Sequence, residues 1–202
     1  GDKAVVGILA PDLVGNHRDA RIADFQTFEG QFPERLFEGF VAILDGDKAV
    51  GVVIEKAADL IAGPIALTGH SAGGHLVTRM VCDSAPLLPT VQARIRNVVS
   101  ISGLHDLRPL MNTAMNKTLR IDEAEALGES PALLRPMADA RVTCWAGGNE
   151  RHEFLRQSAL LANIWTGLGA TTATVIEPDR HHFSIIDGLT EADHALTRTL
   201  LS

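Results

Sequence analysis

Residues Gly69-His70-Ser71-Ala72-Gly73 set a serine between two glycines. A serine hydroxyl is a weak nucleophile until a base removes its proton and the backbone holds its oxygen out toward substrate. The G-x-S-x-G spacing meets the second condition, because it places the serine on a strained strand-to-helix turn where flanking Cβ atoms would collide. The apolar run "PIALT" precedes it, and Leu76, Val77, Met80 and Val81 follow at helical spacing, so the required strand and helix are both expected. Ser71 is therefore the candidate nucleophile for acyl transfer. The N–H groups that open the following helix lack intrahelical partners, which makes the Ala72 N–H the candidate oxyanion donor, assisted by the helix dipole.

A base has to come from elsewhere in the chain. Of eight histidines, His181 and His182 in "EPDRHHFSIID" stand just past an apolar run near the carboxyl terminus, where a strand would deliver them beside the elbow. His182 is the preferred base, with Phe183 expected to pack the loop and hold the ring while His181 points elsewhere. Three carboxylates end or follow strand-like runs: Asp106 in "SGLHDL", Glu150 in "AGGNERHEF", and Asp179 close to the histidine. Asp179 is too near in sequence to reach around the ring, which leaves Glu150 and Asp106 as candidates for the acid that orients the imidazole. No CxxC or HExxH spacing is present, so neither a metal nor any other cofactor is expected.

These side chains need a frame. "RNVVSIS", "RVTCWAGG" and "TTATVIEP" read as further strands, alternating with the helical patterns "GVVIEKAADLIAG" and "HEFLRQSALLANIWTGLG" and with a closing helix over roughly 190–201. The stripe Leu155, Leu160, Ile164 and Trp165 reads as core packing, and Arg79, Arg94 and Arg96 read as solvated. Such alternation predicts an α/β fold: an open, mostly parallel sheet with helices on both faces and ligands beyond the carboxyl ends of its strands. One domain over 1–202 is expected, with 52–202 as its regular part. Residues 1–51 look different, since "GFVAILDGDKAVGVVI" has the pattern of a hairpin around Asp45-Gly46-Asp47. The pentapeptide "GDKAV" occurs at 1–5 and again at 46–50.

Composition limits the function classes. With 46% hydrophobic and 21% charged residues, and no apolar run near eighteen residues, a spanning helix is not expected. A net charge of −7 without a basic stripe argues against a nucleic-acid partner. Two distant cysteines, Cys82 and Cys144, suggest free thiols and a cytoplasmic setting. The expected partner is a small acyl compound, and an exposed sheet edge invites pairing with a second copy of the chain.

Taken together, "AGPIALTGHSAGGHLVTRM", "RIRNVVSISGLHDLRPL", "SP", "WAGGNERHEFLRQS" and "HHFSIID" resemble the α/β-hydrolase type of arylformamidase, or kynurenine formamidase, and the bacterial esterase-like proteins close to it. The likeness covers about 52–202. It implies an α/β-hydrolase fold and hydrolysis of the N-formyl amide of formylkynurenine to formate and kynurenine, a step of tryptophan breakdown. It also implies Ser71 as nucleophile, His182 as base and Glu150 as acid, where relatives often carry aspartate. One departure stands out. Relatives have an upstream "HGG" loop that supplies a second oxyanion N–H, and nothing in 1–51 matches it. Loss of one such donor costs about 2.7–4 kcal/mol of transition-state stabilisation, so activity of this chain depends on where a partner donor is found.

Overall fold

The computed structural model describes residues 4–9, 26–28, 36–39, 46–60 and 62–202. Three strands come from the first forty residues: β1 (Ala4–Leu9), β2 (Gln26–Phe28) and β3 (Leu36–Gly39). Helix α1 (Gly46–Leu60) leads to β4 (Ile65–His70) and α2 (Ala72–Arg79). Then follow α3 (Pro89–Gln92), β5 (Ile95–Ile101), α4 (Asn116–Leu119), α5 (Glu123–Gly128), β6 (Arg141–Gly147), α6 (His152–Gly167), β7 (Thr171–Glu177) and α7 (Ala195–Leu201). The strands form one sheet in the order β2-β3-β1-β4-β5-β6-β7, in which only β2 runs antiparallel to its neighbour. The α/β expectation is met.

Side-chain alternation along the central strands builds two cores. Ile65, Leu67, Val98, Val142 and Cys144 face a layer that includes Val53 and Ile54 of α1, Leu76, Val77 and Met80 of α2, and Leu161 and Trp165 of α6. Ala66, Val99, Ile101 and Trp145 face the other way, onto Ile185 and onto Leu196 and Leu200 of α7. Of the expected α6 stripe, Trp165 is core and Leu160 and Ile164 pack at its margin, whereas Leu155 is half-buried and belongs to neither core.

The amino-terminal segment departs from the hairpin reading. Residues 46–54, which were to form its turn and second strand, belong to α1. Val50, Val53, Ile54, Ala57 and Ala58 recur at helical spacing and are all buried, whereas Val52, which a strand would have placed with Val50 and Ile54, is 43% exposed. The β-branched residues suit a strand, but the burial pattern has a period near 3.6, and packing outweighs propensity. The repeated pentapeptide makes the same point: Ala4-Val5 lie in a strand and Ala49-Val50 in a helix. The Asp45 end of the expected turn lies outside the described residues.

Two of the arginines read as solvated are structural. Arg94 donates to the carbonyls of Ala58 and Gly63, tying the carboxyl end of α1 to the start of β5. Arg79 is buried and pairs with Glu129 at 2.7 Å. Arg96 is exposed as expected.

A polar seam runs between α2, the end of β5 and α6. His75 Nδ1 donates to the Leu104 carbonyl at 3.0 Å, and His105 Nδ1 donates to the Gln157 carbonyl at 3.1 Å. His105 Nε2 lies 2.9 Å from Ser100 Oγ. Burial pushes both imidazoles down to about 4, and the backbone carbonyls only partly offset it.

Two predictions follow from this packing. Ile54→Ala is expected to lower unfolding stability by about 2–5 kcal/mol, and Val52→Ala to change it by less than about 0.5 kcal/mol, as read by urea denaturation; equal losses contradict the helical register of α1. Because His75 and His105 titrate lower when folded than the ordinary 6.5, the unfolded chain binds protons that the folded chain refuses. Their stability is intact above about pH 6.5 and is lost as pH falls toward 4, on the order of 2 kcal/mol per histidine by pH 5. The urea midpoint should therefore fall between pH 7 and 5, and a flat profile contradicts buried neutral imidazoles.

Candidate active site

The carboxyl ends of β4, β5, β6 and β7 converge on one edge of the sheet. At the first of them, Ser71 adopts φ 56° and ψ −117°, a left-handed conformation that a side-chain-bearing residue occupies only under constraint. The constraint is visible. The Ser71 N–H continues the ladder to the Ile101 carbonyl at 2.8 Å, and its own carbonyl receives the His75 N–H at 3.2 Å, so strand and helix pull on one residue from both sides. A Cβ at Gly69 would collide with the Gly73 carbonyl, which explains why the motif needs glycine there. Ala72 is the first residue of α2, so helix geometry leaves its N–H without an acceptor inside the helix.

β6 ends in a tight turn that delivers the acid. Glu150 is buried, and its Oε2 accepts from His182 Nδ1 at 2.7 Å. Its Oε1 accepts from Ser102 Oγ at 2.5 Å and from the Gly147 N–H at 2.8 Å. Burial alone would raise this carboxyl, but the donors from His182, Ser102 and Gly147 outweigh it and hold the group below its ordinary value. The carboxylate is therefore ionised near neutrality and acts as acceptor only, which assigns the Nδ1 proton to His182 and leaves the Nε2 lone pair of the neutral ring available as a base.

The loop that carries His182 is pinned at several points. Gly148 N–H donates to the Glu177 carbonyl at 2.7 Å, and Asn149 N–H donates to the Arg180 carbonyl at 2.9 Å. A Cβ on Gly147 would strike that same Arg180 carbonyl. Glu177, at the end of β7, accepts from Trp145 Nε1 at 2.8 Å and from Arg180 Nε at 3.0 Å. On the elbow side, His70 Nε2 donates to the His182 carbonyl at 2.7 Å, with the two rings 4.5 Å apart. His182 is thus docked against the residue that immediately precedes Ser71.

The structure separates the alternatives that the sequence left open. Asp106 does not face the imidazole; Arg108 grips it through Nε at 2.8 Å and Nη2 at 2.9 Å, which holds its carboxyl below the ordinary range. Asp179 is exposed, at φ 59° in the loop before the histidine pair. His181 accepts the N–H groups of Phe183 and Ser184 on its own turn, both at 3.2 Å, and points away as expected. Phe183 does not clamp His182: it is 63% exposed, with an edge contact at 5.4 Å. Phe154 of α6 stacks on the imidazole instead, at 4.2 Å and 28°.

Sequence reasoning missed Ser102, His70 and Phe154. Phe154 carried a usable signal, since it lies four residues after Glu150 and on the turn of helix that follows it. Ser102 shows a fainter one, a Ser-Gly pair closing a strand. A second oxyanion donor, the feature missing from 1–51, would have to reach the elbow from the neighbouring strand. β1 is parallel to β4, with Leu9 in register with His70, so the end of β1 lies beside the elbow. Residues 10–25 lie outside the described ones. Among the described residues, no group of three or more His, Cys, Asp or Glu side chains is arranged to hold a metal ion, and no helix is long and apolar enough to cross a membrane.

No family model matches the chain. Kynurenine formamidase of Danio rerio is 31% identical over 140 residues, which cover 67% of this chain and 47% of that one. Kynurenine formamidase of Salmo salar is 33% identical over 143 residues, covering 67% and 48%. The chain thus spans about half the length of the curated relatives it matches. A solved protein of Silicibacter sp. TM1040, provisionally assigned as a thioesterase, is 32% identical and superposes with a TM-score of 0.79 over 100% of this chain and 78% of its own. The elbow and the parallel sheet agree with that likeness: the chain has the α/β-hydrolase fold, is related to kynurenine formamidases over two thirds of its length, and belongs to the same α/β-hydrolase family as this solved protein.

Proposed function

We propose that the protein is a metal-free serine hydrolase that cleaves a small aryl formamide of the N-formylkynurenine type to formate and the free amine. The observation that carries this reading is the Glu150–His182 hydrogen bond of 2.7 Å, held against the elbow by the His70 clasp on the His182 carbonyl. In this reading, Ser71 Oγ attacks the formyl carbon while His182 Nε2 takes the hydroxyl proton, and the Ala72 N–H receives the oxyanion. Collapse of the tetrahedral intermediate breaks the C–N bond, and His182 returns the proton to the departing amine. Water then gives a proton to His182 as it attacks the formyl-serine ester, and formate leaves as the proton passes back to Ser71. Glu150 stays ionised throughout and stabilises the imidazolium in each half-reaction.

A second reading, hydrolysis of small esters or thioesters by the same groups, is favoured by the likeness to the protein assigned as a thioesterase. The two readings share the attack by Ser71 and the release of the acyl group by water, and differ in the leaving atom that His182 must protonate during acylation.

Exposure to a fluorophosphonate probe is expected to add one adduct at Ser71, detected by mass analysis of its peptide, and Ser71→Ala is expected to abolish it with the melting temperature unchanged. A folded wild-type chain that stays unmodified overturns the hydrolase mechanism. With N-formylkynurenine and a short p-nitrophenyl ester as competing substrates, the expected result is a higher kcat/KM for the formamide; a preference for the ester replaces the first reading with the second. Glu150→Gln should reduce kcat by about 10³–10⁴-fold, since the neutral amide no longer stabilises the imidazolium.

A further inference from the structure

Ser102 has no part in the steps just described, yet its conformation and surroundings are unusual. It directly follows β5, is fully buried, and takes φ 50°, a positive value that a serine adopts only under constraint. Two bonds account for the conformation. The Ser102 N–H donates to the Trp145 carbonyl at 2.7 Å, which carries the ladder one residue past the end of β5. Its Oγ donates to Glu150 Oε1 at 2.5 Å. An extended residue at this position would send its side chain along the strand alternation and away from the β6 turn.

We infer that Ser102 is a positioning residue for the acid–base pair: its hydroxyl locks one oxygen of Glu150 so that the other faces His182 Nδ1. The inference rests on the hydrolase reading for its catalytic consequence, though not for its geometry. A carboxylate with one oxygen unrestrained can rotate about its terminal bond, whose torsional wells are broad. Here Oε1 is fixed from two sides, by the Gly147 N–H and by Ser102, and only Oε2 is left to the imidazole. The backbone donor alone does not define the rotation, because one bond permits a cone of orientations and two bonds permit one. Because an ionised carboxylate offers only lone pairs, the hydroxyl must be the donor. It therefore also withdraws negative charge from the group that stabilises the imidazolium. Ser102 touches neither substrate nor the reacting atoms, and it acts through Glu150. Ser71 and Ser102 each follow one of two adjacent parallel strands and both have positive φ, one presenting its hydroxyl to substrate and the other turning it inward to the acid.

Two variants separate the hydroxyl from the backbone. Ser102→Gly removes the hydroxyl and suits the left-handed conformation, and Ser102→Ala removes it and keeps the strain. With a p-nitrophenyl ester as substrate, both are expected to lose about tenfold to a hundredfold in kcat, with KM changed less than about twofold. The acid limb of the kcat/KM profile should move to higher pH in both, because the unshielded carboxylate favours the imidazolium. A readout independent of turnover is the proton resonance of His182 Nδ1, expected downfield in the wild-type chain and broadened by exchange in both variants. Folded variants that keep wild-type kcat, acid limb and Nδ1 resonance overturn the inference and leave the hydrolase reading intact. Conversely, a wild-type chain that ignores the fluorophosphonate probe while the variants lose the Nδ1 resonance removes the hydrolase reading and supports Ser102 as the residue that sets the pair.

Discussion

A carboxylate taken out of water must be met by donors, and Glu150 is met by three that come from three separate elements. Ser102 reaches it from the end of β5, the Gly147 N–H from its own turn after β6, and His182 from the loop beyond β7. None of these is near the others in sequence, and no short peptide could assemble them. The charge can be buried only if the parallel register of β5, β6 and β7 brings the strand ends to a common level. The rest of the site follows from that requirement: the carboxylate selects the imidazole tautomer, and the tautomer leaves a basic nitrogen free on the side of the ring away from the acid.

The elbow solves a complementary problem. Where the acid end of the site is tightly satisfied, Ser71 is held in a conformation that its local sequence disfavours, by a strand bond on one side and a helix bond on the other. The core on both faces of the sheet supplies the stability against which that strain is held. His70 joins the two ends, since its ring bonds the His182 carbonyl while its backbone is the last residue of β4. With Phe154 on one face and His70 near the other, the imidazole has little freedom to leave the position that Glu150 assigns it.

Much of this was legible in one dimension. The strands β4, β5 and β6 announce themselves as short, largely apolar runs, because both faces of the sheet are covered there, whereas β7, at the sheet edge and without a buried residue, shows as a β-branched run. Ser71 was legible because its motif encodes a local turn, and Gly69 is demanded by the Gly73 carbonyl four residues away. His182 and Glu150 were legible only as ends of strands. The amino-terminal part misled for an identifiable reason: Val50, Val52, Val53 and Ile54 are β-branched and sit beside a turn-like Asp-Gly-Asp, so propensity and turn chemistry both favour a hairpin, while burial on the α2 side of the sheet rewards a helix. The arginines misled in the same way, since Arg79 and Arg94 look solvated until a distant carboxylate and two helix-end carbonyls are found beside them.

The sequence alone determined the layered α/β architecture, the nucleophile elbow and the short list of groups able to act with it, because each of these is written in residues close together along the chain. Only the tertiary structure put Glu150 against His182 and Asp106 against Arg108, gave Phe154 the place expected of Phe183, and brought Ser102 to Glu150. Those outcomes depend on which strand ends lie at the same height and which side chains meet across the gaps between them, and a contact between residues so far apart in the chain leaves no periodic or local trace in the order of amino acids.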